Sequence, residues 1–136
     1  MASELKVNTL KDASGNNSVA MSTVAEGSAK SWIRFNGSGT VAIDDSFNAA
    51  SLTDHGTGQY TYSYTNSMGN ANYTISLFAR DGSYDRAGFW PATGANTGLL
   101  STTSVGGLCS TWTGSGNWSA GTDAPRLGIT VHGDLA

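Results

Sequence analysis

The groups that could carry acid–base or metal chemistry are few: the adjacent pair Asp44 and Asp45, the pair Asp81 and Asp85, two histidines, His55 and His132, and one cysteine, Cys109. Glycoside hydrolysis needs two carboxyl groups flanking one bond. In an extended strand Asp44 and Asp45 point to opposite faces, which disqualifies them as such a pair. Asp81 and Asp85 could meet across a turn, but Arg80 and Arg86 flank them and offer plain ion pairs. The same stretch, "DGSYD", resembles part of an acidic calcium loop and lacks the rest of the ligand series. The histidines are far apart in sequence and form no H-x-H pair. A catalytic cysteine wants a positioned histidine and a lowered pKa; Cys109 has no such neighbour in sequence and reads as a small buried thiol. No P-loop, HExxH or GxSxG is present. The reading is a non-enzyme without catalytic residues, metal or other cofactor.

The remaining side chains with chemical character are aromatic. Trp90, Trp112 and Trp118 fall in stretches that read as loops or turn flanks, where an exposed ring needs a reason. They are the candidate ligand or interface residues, either for a glycan or for a neighbouring subunit. The tyrosines of "QYTYSYT" alternate with Thr61, Ser63 and Thr65. That is the pattern of a strand with one buried and one wet face, so Tyr60, Tyr62 and Tyr64 are expected inside a sheet stack.

The elements that must position these residues are strands. Of 136 residues, 62 are Gly, Ser, Thr or Asn, a composition that tends to disorder unless enough apolar surface is buried. Four Trp, five Tyr and four Phe supply that surface. Alternation marks strands in "SWIRFNGSGT", "TVAI", "FNAASLT", the tyrosine stretch and "ANYTISLFARD", with Tyr73, Ile75 and Leu77 opposite Thr74, Ser76 and Phe78. A last strand, "PRLGITVHGDLA", has Leu127, Ile129 and Val131 on one face. "DHGTG" has the length of a three- to five-residue hairpin loop. "SYDRAGFWPATGANTG" reads as a long loop, and "LCSTWTGSGNWSAG" as a strand pair. Short strands, glycine turns and no convincing amphipathic helix predict an all-β fold, an antiparallel β-sandwich (jelly-roll-like) over residues 30–136.

Residues 1–29 hold too few large apolar groups for a core. "SELKVNTL" predicts a short strand, the turn "DASGNN" follows, and Val19 to Ala29 suits a connector or one helical turn. Such a segment must lie on something else, so it is read as an extended anchor with Leu5, Val7 and Leu10 as its contacts. Net charge is -3 with 12% charged residues, which excludes the basic footprint of a nucleic-acid binder. "MASELKVNTL" has neither signal-peptide shape nor a long apolar run, and no membrane insertion is expected. Four N-x-S/T sequons, at Asn16, Asn36, Asn72 and Asn117, are what an Asn/Ser/Thr-rich chain contains by chance.

Most of residues 1–81 and 123–136 carries a family resemblance. "AKSWIRFNGSGTVAIDDSFNAASLTDHGTGQYTYSYTNSMGNANYTISLFARD", Ala29 to Asp81, resembles domains of tail-fibre and related virion proteins of tailed bacteriophages. "DAPRLGITVHGDLA" is similar to the last strand of such domains, and "ELKVNTLKDASGN" to short N-terminal elements of phage fibres. Residues 83–121 match no motif. The resemblance implies a structural protein of the virion and a homotrimer. It also implies docking to other capsid or tail proteins through the N-terminal segment, with host-surface glycan as a further partner. The short segment before the domain suits a short fibre, a spike or a head-fibre or capsid-decoration module better than a long tail fibre.

Overall fold

The computed structural model describes residues 3–80, 87–90, 100–111 and 121–136. Its elements are β1 (Thr9–Lys11), β2 (Ser18–Ala20), α1 (Met21–Gly27), β3 (Ser31–Asn36), β4 (Ala42–Phe47), β5 (Ala49–Gly56), β6 (Gln59–Tyr64), β7 (Thr74–Arg80), β8 (Ala87–Trp90), β9 (Ser104–Thr111) and β10 (Arg126–His132). Eight strands form two four-stranded antiparallel sheets, ordered β4-β3-β10-β7 and β5-β6-β9-β8. Hairpins join β3 to β4 and β5 to β6 within one sheet, whereas the β4–β5 and β6–β7 connections change sheet. The fold is an all-β sandwich.

Period-two alternation decides which side of each strand is inside. β3 buries Ser31, Ile33 and Phe35; β10 buries Leu127, Ile129 and Val131; β6 buries Tyr60, Tyr62 and Tyr64. Val105 and Cys109 of β9 complete the opposite wall, with Met68, Tyr73 and Ala124 at the ends. The tyrosine row is therefore core. Its rings pack edge to face, Phe35 on Tyr60 at 5.1 Å, Tyr62 on Tyr64 at 5.4 Å and Tyr64 on Tyr73 at 6.1 Å between centroids, the arrangement that aligns positive ring edges with negative faces.

A buried tyrosine must also place its hydroxyl, and these hydroxyls brace the sandwich. Tyr60 Oη lies 2.8 Å from the Gly37 carbonyl and 2.9 Å from Asp123 Oδ1, which also accepts the Gly58 amide at 2.7 Å. Tyr62 Oη reaches Ser31 Oγ in the facing sheet at 3.2 Å. Tyr73 Oη, just before β7, lies 2.9 Å from the Ser101 carbonyl and 3.2 Å from that of Ser104, at the start of β9. Among the described residues Tyr64 Oη is buried with no hydrogen-bond partner in range. Two variants separate the roles. Tyr60→Phe removes the donor shared by the Gly37 carbonyl and Asp123 Oδ1, the latter keeping only the Gly58 amide, and should cost about 1–3 kcal/mol; Tyr64→Phe removes a hydroxyl without a partner among the described residues and should be neutral or stabilising by about 1 kcal/mol. Urea midpoints test this, and equal losses in both variants would show that the Tyr64 hydroxyl has a partner after all.

The β5–β6 hairpin is tighter than its sequence suggested. The strand runs to Gly56, which pairs with Gln59, so the turn is Thr57–Gly58 alone. Gly58 has φ +72°, and a Cβ there would stand 2.5 Å from the Cys109 carbonyl and 2.6 Å from the Thr122 amide nitrogen. Only glycine meets both demands.

Three other sequence expectations change. "SYDRAGFWPATGANTG" is not all loop: Ala87–Trp90 is β8, antiparallel to β9 with Phe89 opposite Cys109. The strand expected over Ser3 to Leu10 shrinks to Thr9–Lys11, because only β2 pairs with it. Asp44 and Asp45 do not simply alternate, since β4 is irregular there: Asp45 stands opposite Arg34, Ile43 opposite Phe35, and Asp44 is the extra residue. In "LCSTWTGSGNWSAG", β9 covers the first four residues, and 112–120 lie outside the described residues.

The N-terminal part is a two-stranded hairpin closed by the Asp12–Asn17 turn, followed by seven-residue α1. The Lys30 ammonium and Ser28 Oγ both bond the Ala25 carbonyl at the helix end, where carbonyls lack intrahelical partners. No residue from 3 to 28 is buried.

Candidate interaction surface

The outward face of the sheet β4-β3-β10-β7 carries the strongest concentration of unusual surface side chains among the described residues. Because Ile75, Leu77 and Ala79 turn to the core, Thr74, Ser76, Phe78 and Arg80 of β7 turn out. By the same alternation β3 presents Trp32, Arg34 and Asn36, and β10 presents Arg126, Gly128, Thr130 and His132. Register then sets the rows. One row reads Phe47, Trp32, Thr130, Ser76; the next reads Asp45, Arg34, Gly128, Phe78. Arg126 stands opposite Arg80.

Phe47 is 53% exposed and Phe78 48%, on the two edge strands of the sheet, with half-buried Trp32 between. Gly128 explains the lie of Phe78: a Cβ at residue 128 would stand 2.9 Å from Phe78 Cδ1, so the ring rests on the glycine backbone. Ile43 of β4 is also exposed, but it stands opposite core-facing Phe35 and so lies on the other side of the sheet. Arg34 Nε lies 3.6 Å from Asp44 Oδ2, both groups being half exposed, a pair of small energetic weight. Arg34, Arg80 and Arg126 all leave the sandwich through this one face. The outward side of the other sheet is different: Ser51, Thr53, Thr61, Ser63, Ser104 and Gly106 by register, with His55 Nε2 3.1 Å from Thr61 Oγ1. These rows are uncharged, small and hydroxylic, and the row beyond them holds Gln59 and Leu108. Aromatic rings with arginine are what protein interfaces concentrate at their centres.

The arm supplies a second apolar surface. Leu5 is 79% exposed, and Val7, Leu10 and Val24 are also exposed. Beside the hairpin a shallow hollow is lined by Leu10, Lys11, Asp12, Asn17, Ser18 and Val19. Leu5, Val7 and Leu10, expected as anchor contacts, are thus uncovered side chains.

The tryptophans expected as ligand or interface residues fare differently. Trp90 lies in β8, opposite Leu108 in register, rather than in a loop. Trp112 and Trp118 lie outside the described residues, as do Asp81 and Asp85. Phe47 and Phe78 were missed. Phe78 had a readable signal, an aromatic ring on the side of its strand that otherwise holds Thr74 and Ser76. Phe47 had none, because the β4 irregularity sits between it and the alternation of "TVAI".

Among the described residues no three of His, Cys, Asp and Glu converge on a point where a metal could sit, and no helix is long and apolar enough to cross a membrane. Comparison with protein-family models, with curated proteins and with solved structures finds no match to this chain.

Proposed function

We propose that this chain is a structural protein of a bacteriophage particle: a short trimeric fibre, spike or capsid-decoration module whose N-terminal arm docks on capsid or tail protein. The observation that carries the docking half is the arm itself. Leu5, Val7, Leu10 and Val24 are exposed ahead of a sandwich to which they contribute no buried side chain. A hairpin of two three-residue strands is not stable in water by itself. Its apolar side chains gain only when a second surface covers them, at roughly 25 cal/mol per Å² removed from water. An extended segment can add backbone hydrogen bonds to a neighbouring sheet as well. The placement on a phage particle rests on the resemblance of the segments Ala29 to Asp81 and Asp123 to Ala136.

Deleting residues 2–28 tests it. The sandwich keeps every buried side chain among the described residues, so the truncated protein should fold, with a melting temperature within a few degrees of the full chain's. It should no longer join particles when supplied to an infection that lacks the full-length protein. Incorporation at the full-length level would reject the anchor.

A further inference from the structure

We infer that Asn36–Gly37 is a deamidation site gated by the fold: inert while its end of the sandwich is closed, and converted to aspartate or isoaspartate when that end opens. The inference goes beyond the particle reading and does not depend on it.

Asn36 is the only asparagine in the sequence followed by glycine. The chemistry of such a step is intramolecular and needs only water. The Gly37 backbone nitrogen gives up its proton to solvent and attacks Asn36 Cγ. The bond from Cγ to Nδ2 breaks, ammonia leaves, and a five-membered succinimide closes. Water then opens the ring at either carbonyl. One opening restores the ordinary backbone and leaves aspartate; the other routes the chain through the side-chain carbons and leaves isoaspartate. Glycine favours the attack because no Cβ shields its nitrogen.

Packing requires both residues of this labile pair. A Cβ at residue 37 would stand 2.5 Å from Tyr60 Oη and 2.7 Å from Leu127 Cδ1, so only glycine fits against the Tyr60 ring. Asn36 closes the turn from β3 to β4. Its Nδ2 donates to the Ser38 carbonyl at 2.8 Å and the Thr40 carbonyl at 3.1 Å, and its Oδ1 accepts the Ser38 amide at 3.0 Å.

The same contacts hold the reaction off. The nucleophile belongs to a buried residue, and its N–H donates to the Ala124 carbonyl at 2.9 Å, so its proton is withheld from solvent. Both hydrogens of the leaving amide are engaged by carbonyls. The Gly37 carbonyl accepts Tyr60 Oη at 2.8 Å, so the peptide cannot swing its nitrogen toward Cγ without breaking the brace. Attack therefore waits for a local opening, which costs less than global unfolding. The product cannot close again as before. Isoaspartate adds one atom to the backbone between the two residues and shifts Gly37 from its place between Ala124 and Tyr60. Aspartate sets a carboxylate oxygen against the Ser38 and Thr40 carbonyls where an amide used to donate. Each opening that ends in reaction leaves this end of the sandwich weaker.

The test is peptide mapping by mass spectrometry on the full-length protein, aged in mildly alkaline buffer with and without urea above its unfolding midpoint. In urea Asn36 should convert faster than any other asparagine. In the native protein its conversion should be slower by about tenfold or more, a factor that needs an opening free energy of only about 1.4 kcal/mol. Tyr60→Phe, which loses the bond to Gly37, should speed the native reaction severalfold and leave the rate in urea unchanged. Chains labelled by isoaspartyl methyltransferase at residue 36 should melt below the unmodified protein after the urea is removed. Native Asn36 converting at the rate seen in urea overturns the gate, as does a Tyr60→Phe variant whose native rate equals that of the wild type. Isoaspartate-bearing chains that regain the wild-type melting temperature overturn the claim that the end cannot close again.

Discussion

Above pH 10 the protein should unfold in one cooperative step, with tyrosinate absorbance rising as strand circular dichroism disappears. Burial pushes the Tyr62 hydroxyl up to about 12, against a smaller opposing effect of its hydrogen bond to Ser31. Burial also raises Tyr60, Tyr64 and Tyr73, with the Asp123 carboxylate adding to the effect at Tyr60. The folded state therefore holds these protons more tightly than the unfolded chain, whose tyrosines titrate near 10. The resulting stabilisation is fully present below pH 10 and is lost as pH rises toward the folded-state values. For Tyr62 alone, two pH units at 1.36 kcal/mol each remove about 2.7 kcal/mol. Three more buried tyrosines act in the same direction, against a total stability of roughly 5–15 kcal/mol for a domain of this kind. The transition is expected at about pH 11–12. The measurement is a paired alkaline titration by tyrosinate absorbance and far-ultraviolet circular dichroism. Tyrosines 60, 62, 64 and 73 ionising near pH 10 with the strand signal intact would refute their burial in the sandwich, and with it the brace role of Tyr60, Tyr62 and Tyr73. Tyr84, the fifth tyrosine, lies outside the described residues.

Residue by residue, the sequence was most informative where one strand face is dry and the other wet. Tyr60, Tyr62 and Tyr64 against Thr61 and Ser63, or Leu127, Ile129 and Val131 against Gly128 and Thr130, announce both the strand and its inner face, since a one-residue slip would expose the whole apolar set. The signal fails where that contrast is weak. "AGFW" sits among glycine, alanine and proline, so no period emerged, and β8 is held by its pairing with β9. Exposed Phe47 lies beyond a bulge that breaks the alternation, so nothing in the spacing separates it from a core phenylalanine such as Phe35. The arm's exposed Leu5, Val7 and Leu10 were legible for another reason: too little apolar surface surrounds them in sequence to cover them. The sheet order was not legible at all, because pairing β3 with β10 joins residues about a hundred positions apart, and local periodicity carries no information on such partners.

One residue ties that distant topology together, and replacing it should cost more than any other single polar change considered. Asn48 is the lone residue between β4 and β5, where the chain leaves one sheet for the other, and its φ of 54° lies in the left-handed region. Asparagine enters that region more readily than other residues with a Cβ. Its side chain closes three segments at once: Nδ2 donates to the Lys30 and Asn66 carbonyls at 3.0 Å each, and Oδ1 accepts the Asn66 amide at 2.6 Å. Its own carbonyl accepts the Thr65 amide and Ser31 Oγ. The start of β3, the sheet crossing and the exit from β6 are thereby fixed to one another. Asn48→Ala loses three hydrogen bonds worth about 0.5–1.5 kcal/mol each and adds about 1 kcal/mol of left-handed strain, for an expected loss of roughly 2.5–5.5 kcal/mol. Asn48→Gly relieves the strain but not the lost bonds, so it should fall between alanine and the wild type. Asn48→Asp keeps the backbone preference and the acceptor, yet sets a carboxylate oxygen against two carbonyls, so it should be no better than glycine at neutral pH. Chemical denaturation of the three variants decides the matter. A glycine variant as stable as the wild type would mean that the backbone conformation alone matters at the crossing, and that the side-chain bonds hold nothing together.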